Sequence, residues 1–155
     1  MKSLYIICNI RYHRFIIDLD GGIGMSHLFI KKQFIDPLEP DFTQHTEIVE
    51  LVNIKHYSKR TSSPQFEAKY KVHSFNIIGE GVLEKSNLTI WEYFDLLKSK
   101  SKEIQEKFSY KVTDEKCVTQ YSFEDIAIAI GIGEQYKQNE EEYKEIFWNN
   151  TYSPY

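Results

Sequence analysis

Residues 66–79 read FEAKYKVHSFNIIG, and the order of large and charged side chains there decides what kind of fold the chain can make. On an extended strand Phe66, Ala68, Tyr70 and Val72 fall on one side, and Glu67, Lys69, Lys71 and His73 on the other. Alternation of this kind predicts a strand with one buried and one wet face, as in an antiparallel sheet covered on a single side. Upstream, EIVELVNIKHY at 47–57 reads as a second long strand, joined to the first through the polar SKRTSSP at 58–64. A hairpin turning there would set His56 opposite about Lys69.

The pattern continues toward the N-terminus. LYIICNI (4–10), RFIIDL (14–19) and HLFIKKQF (27–34) are rich in β-branched and aromatic residues. DGGIG at 20–24 supplies glycines for a hairpin or bulged turn. DPLEPDFTQ at 36–44 has two prolines and reads as a loop.

The second half changes period. In LTIWEYFDLLKSKSKEIQEKF (88–108), Thr89 stands three residues before Glu92, the spacing of a capping box. Ile90, Phe94, Leu97, Ile104 and Phe108 then share one helical face. Cys117 to Tyr121 reads as one more strand. The run EDIAIAIGIGEQ at 124–135 fits either period, with isoleucines at 126, 128, 130 and 132 and only alanine or glycine between them. Ser122 as an N-cap with Asp125 behind it favours a helix, broken near Gly131 and Gly133. The small residues Ala127, Ala129, Gly131 and Gly133 are then expected on the side packed against the sheet. The expected fold is α+β: an antiparallel sheet of about five or six strands in the N-terminal half, with two or three C-terminal helices packed on one face. We expect residues 1–155 to form one domain, with a loose tail from about 150 to 155.

Composition narrows the function classes. Apolar residues make up 41% and charged residues 27%, an ordinary globular balance, while aromatics reach 15%. The net charge is −4 and the pI near 5.7, which disfavours general binding to phosphate backbones. Cys8 and Cys117 form no CxxC pair, so neither a thiolate zinc site nor a redox motif is expected. The apolar run near the start is cut short by Asn9, Arg11, His13 and Arg14, and no run is long enough for a membrane helix. A cytoplasmic protein without membrane association is the expectation.

Motifs for chemistry are few. DLDGGIGMS at 18–26 fits neither GxGxxG nor the P-loop, and Asp18 with Asp20 offers too few oxygen ligands for a metal. His13, His27, His45, His56 and His73 show no metal-ligand spacing. We therefore expect no cofactor, no metal and no catalytic residue. SFEDIAIAIGIGEQYKQ (122–138) resembles the helix-turn-helix pattern in its acidic start, Ala127, Gly131 at the turn and Ile132. It departs from that pattern at Gly133, where a polar helix starter belongs, and at Lys137, where an apolar residue belongs. The second helix, expected over 134–145, holds five glutamates against two lysines, so DNA binding is disfavoured.

What remains is a surface. Glu134, Tyr136, Glu140, Glu141, Glu142, Tyr143 and Trp148 lie together near the C-terminus and form the candidate partner-binding patch, with Phe147 beside them. Acidic groups steer a basic partner and aromatic rings supply desolvated contact. The expected function is that of a non-enzymatic protein-binding inhibitor, immunity-protein-like, that neutralises a basic partner such as a nuclease-type toxin. The alternative is a small enzyme or ligand-binding domain with a pocket between sheet and helices, assembled from residues distant in sequence.

Overall fold

The computed structural model describes residues 4–5, 27–38, 43–57, 65–78, 85–103, 106–119 and 122–153, with 4–5 described as backbone. Strands β1 (Leu4–Tyr5), β2 (His27–Asp36), β3 (Thr43–Tyr57) and β4 (Gln65–Ile77) precede helix α1 (Ile90–Glu103). Strand β5 (Phe108–Thr119) follows, then helices α2 (Phe123–Ile130), α3 (Gly133–Gln138) and α4 (Glu140–Asn149), and the short strand β6 (Thr151–Tyr152). Neighbours in the sheet run β1-β2-β3-β4-β5 in chain order, antiparallel, so the topology is a meander. β1 pairs with β2 through Leu4 opposite Ile35, while β6 lies parallel to β3 with Ile54 opposite Thr151. The fold is α+β, as expected. The second expected strand (14–19), the DGGIG turn, Asp18 with Asp20, Cys8, His13 and the SKRTSSP turn lie outside the described residues.

Contacts group the chain into two compact units, both of which include parts of β3, β4 and β5. The first takes in 28–49 and 72–113. Its core joins Leu28, Ile30, Ile48, Phe75, Ile77 and Phe108 of the strands to Ile90, Tyr93, Phe94 and Leu97 of α1. Those four helical positions follow the i, i+3, i+4, i+7 spacing, and each large side chain removed from water contributes roughly 1.5–3 kcal/mol. The capping box forms as expected: the Thr89 N–H donates to Glu92 Oε1 at 2.9 Å, and the Glu92 N–H to Thr89 Oγ1 at 3.1 Å. This core also encloses polar groups. The Tyr93 hydroxyl, on a fully buried ring, accepts from the amides of Gln33 (2.6 Å) and Gln44 (3.5 Å), and Gln33 also reaches Thr46 Oγ1.

Two expectations are corrected in this unit. The helix does not run to Phe108, which instead opens β5 and is buried in the core. Phe108 keeps helical spacing from Leu97, but FSYKVT also alternates, and pairing beside β4 satisfies its backbone where a helix end would not. His73 is buried rather than wet, together with Phe75 and Ile77, whereas Phe66 and Ala68 are the buried positions earlier in the strand. The buried set thus shifts from even to odd positions along β4. Cover, not alternation alone, decides which side of a strand is dry: Phe94 of α1 sits edge-on to the His73 ring at 4.6 Å.

The second unit takes in 50–71 and 114–155, together with a segment ending at His27. Its core comprises Leu51, Ile54, Phe66 and Ala68 from strands, and Ile126, Ala127, Ile130, Ile132, Tyr136, Tyr143, Ile146 and Phe147 from the helical end. Residues 123–130 are helical. Ser122 is the N-cap, accepting from the Asp125 N–H, and Gly131 the C-cap at φ 93°, a conformation that disfavours a side chain. The N–H groups of Gly131 and Ile132 return to the carbonyls of Ile128 and Ala127, closing the helix end.

The isoleucine run therefore resolves as helix, but not with its small residues inward. Ile126, Ala127 and Ile130 are buried, whereas Ala129 and Ile128 are exposed, because a period of 3.6 sorts these positions differently from a period of two. The close approach falls at Gly133, where a Cβ would meet Ile128 Cγ1 at 3.0 Å. Nor is 134–145 one helix: it divides at Asn139 into α3 and α4.

Candidate functional site

Helices α3 and α4 position the expected patch. The Asn139 carbonyl accepts from the Tyr143 N–H, so α4 starts there without a side-chain cap. Glu140, Glu141 and Glu142 then occupy its first turn, where negative charge offsets the positive end of the helix dipole. Part of the acidity of this segment is thus structural. The dipole does not account for Glu145, farther along α4, nor for a last turn without any basic residue, where cations are favoured.

The structure separates the expected patch residues into two groups. Glu134, Glu140, Glu141 and Trp148 are exposed, and Glu142 is half-buried. Tyr136 and Tyr143 are only 2% and 0% exposed and meet edge to face at 6.2 Å, so they support the patch from the core and present no ring to a partner. Burial pushes the Tyr136 phenol above its usual range. Their helical spacing from other core residues was the signal that could have marked them as interior. Trp148, at 62% exposure, is the ring that reaches the surface. Behind it Phe123 lies at 6.1 Å, and Phe123 packs in turn on Phe66 at 5.3 Å. His56 stacks on the same Phe66 at 4.6 Å, rather than facing Lys69 as the hairpin expectation had it. Lys144 is held by Glu140 at 3.2 Å and its ammonium is raised by that hydrogen bond, while Lys137 pairs with Glu124 at 4.0 Å.

A second constellation, missed in the sequence, crosses four strands of the first unit. His45 on β3 stacks on Phe34 of β2 at 4.7 Å and bonds through Nδ1 to Asn76 Oδ1 on β4. The Asn76 amide donates to Ser109 Oγ of β5 at 3.4 Å. An amide oxygen only accepts, so Nδ1 of His45 is the donor in this bond. No local motif links residues 45, 76 and 109; strand register alone brings them together.

Other candidates are quieter. The Cys117 thiol is half-buried and raised by burial, which lowers its reactivity. His73 Nδ1 bonds to the Tyr110 hydroxyl at 2.7 Å inside the core. His27 is mostly buried, its Nδ1 has no hydrogen-bond partner among the described residues, and desolvation lowers its pKa to about 4. Among the described residues no three His, Cys, Asp or Glu side chains gather to hold a metal ion, and no helix is long and apolar enough to cross a membrane.

In comparisons with known proteins, no family model matches the chain, and no curated protein or solved structure matches it. The class that can be stated is an α+β fold with an acidic, aromatic-bearing C-terminal helical surface.

Proposed function

We propose that this protein is a non-enzymatic protein-binding module, an inhibitor of the immunity-protein kind that engages a basic partner, such as a nuclease-type toxin, through the outer surface of α3 and α4. The observation that supports the reading is a charge asymmetry. Residues 122–153 carry seven acidic side chains against two lysines, a net −5, although the whole chain is only −4. The rest of the protein is therefore close to neutral, and the net negative charge is carried by the segment that also exposes Trp148. Such a surface attracts a positive partner at long range and gives it an aromatic anchor on contact. The reading includes a cytoplasmic location, supported by a cysteine count of only two, far from a disulfide-dense secreted scaffold.

The test uses immobilised wild-type protein and a Glu134→Lys/Glu141→Lys/Glu145→Lys variant, both exposed to the native lysate and washed at rising salt. A basic protein held by the wild type and released by salt should bind the variant at least about tenfold more weakly, with a flatter salt dependence. Equal retention by both proteins would rule out this surface.

The second reading, a small enzyme or ligand-binding domain, is favoured by the row His45, Asn76 and Ser109. It requires a turnover or ligand affinity that His45→Ala abolishes and the triple reversal leaves intact.

A further inference from the structure

The outer side of α4 carries Glu141, Lys144, Glu145 and Trp148 at spacings of three and four, all exposed. Lys144 is engaged by Glu140, toward the start of the helix. Glu145 stands one turn before Trp148 and belongs to no ion pair among the described residues. The indole is braced edge-on by Phe123 and is 62% exposed. Elsewhere the protein sets lysines over its rings: Lys32 over Phe34 at 5.2 Å, Lys55 over Tyr57 at 5.6 Å and Lys98 over Phe94 at 4.7 Å. No described cation lies over Trp148, although indole is the best acceptor of the three ring types for a cation. Tryptophan is also highly buried on average, so a ring this open, beside a carboxylate that the helix dipole does not explain, has the composition of a contact anchor.

We propose that Trp148 and Glu145 form a receptor for an arginine side chain of the basic partner. The guanidinium lies flat on the indole, and its edge N–H groups donate to the Glu145 carboxylate one turn earlier, with Glu141 adding attraction. Arginine fits better than lysine because its planar, weakly hydrated head stacks on an aromatic face and donates in a fixed direction, whereas an ammonium is a hydrated point charge. The inference rests on reading this surface as the docking face for a basic protein, and names the group that face recognises.

The experiment titrates the full chain calorimetrically with two blocked peptides of equal length and charge, one of Gly-Arg repeats and one of Gly-Lys repeats, at low and at physiological ionic strength. The arginine peptide is expected to bind about five- to tenfold more tightly. Trp148→Ala and Glu145→Gln should each remove that preference, while Trp148→Phe retains part of it. Unchanged thermal melts would show that the variants are folded, and Trp148→Phe keeps a ring in place should the alanine variant be unstable. If both peptides bind equally, weaken equally with salt and ignore Trp148→Ala, the arginine receptor is overturned while the acidic docking surface stands. If neither peptide binds even at low salt, both readings fail.

Discussion

In the first unit Gln33, Gln44, Thr46 and His73 are buried and hydrogen-bonded in the core around α1, whereas in the second Trp148 and Ile128 stand exposed at 62% and 55% along an acidic helical end. The two units use the same aromatic-rich composition differently. A buried amide that finds its partner in only one arrangement penalises every other packing, because an unsatisfied donor costs about 1–3 kcal/mol. The polar groups around Tyr93 thus specify a single seat for α1. The second unit fills much of its interior with Tyr136, Tyr143, Phe147 and aliphatic side chains, and leaves the rings of Trp148 and Tyr152 exposed to solvent or to a partner. The lesson is that aromatic abundance has no single meaning: Tyr93 and Trp148 are both helical aromatics, and one is a structural acceptor while the other is a candidate contact.

Truncation of the two cores has the largest expected effects. Leu97→Ala in the first unit and Phe147→Ala in the second each remove a fully buried side chain, and each should cost about 2–5 kcal/mol in urea unfolding. Trp91 and Trp148 report on the two units separately in single-tryptophan variants. Because β3, β4 and β5 each contribute residues to both units, we expect coincident transitions. Separate midpoints would mean two independently stable bodies.

Acid should act through His27 on the second unit. Its imidazole is neutral when folded, with a pKa of about 4 against an ordinary 6.5. Between those values the unfolded chain binds the proton and the folded chain does not, so stability is complete above pH 6.5 and declines as pH falls toward 4. The total loss is about 3 kcal/mol, and His27→Phe should flatten this part of the stability profile relative to wild type. A profile identical in the two proteins would show that the ring is hydrated or paired.

The smallest expected effects compare the helix caps. Thr89→Ala at α1 and Ser122→Ala at α2 should each cost about 1 kcal/mol by thermal or urea melts. A neutral result at Ser122 alone would show that the Gly131 turn, rather than the cap, holds α2 in place.

Much of this was legible because it is local. Thr89 and Glu92 lie one turn apart, so their reciprocal bonds are written in spacing, and so is the Ser122 cap. The sheet's long strands announced themselves by alternation. The errors arose where two local patterns overlapped, as at Phe108, which satisfies a helical and a strand period at once. They arose also where burial was inferred from one period alone, as at His73 and Ala129, and where helical spacing was passed over, as at Tyr136 and Tyr143.

For the candidate site the division is similar. The acidity of 134–145 and the presence of Trp148 are properties of composition, and any fold of this chain would carry them. Helical spacing could have set Tyr136 and Tyr143 inward, but the packing of Trp148 against Phe123 joins residues far apart in the chain. His45, Asn76 and Ser109 make the extreme case: no spacing relates them, and only the register of β3, β4 and β5 sets them in a row. Short-range hydrogen bonds and periodicity act within a turn or two of the chain and can be read from it. Which side of a strand or helix is dry depends on what covers it, and only the tertiary structure decides that.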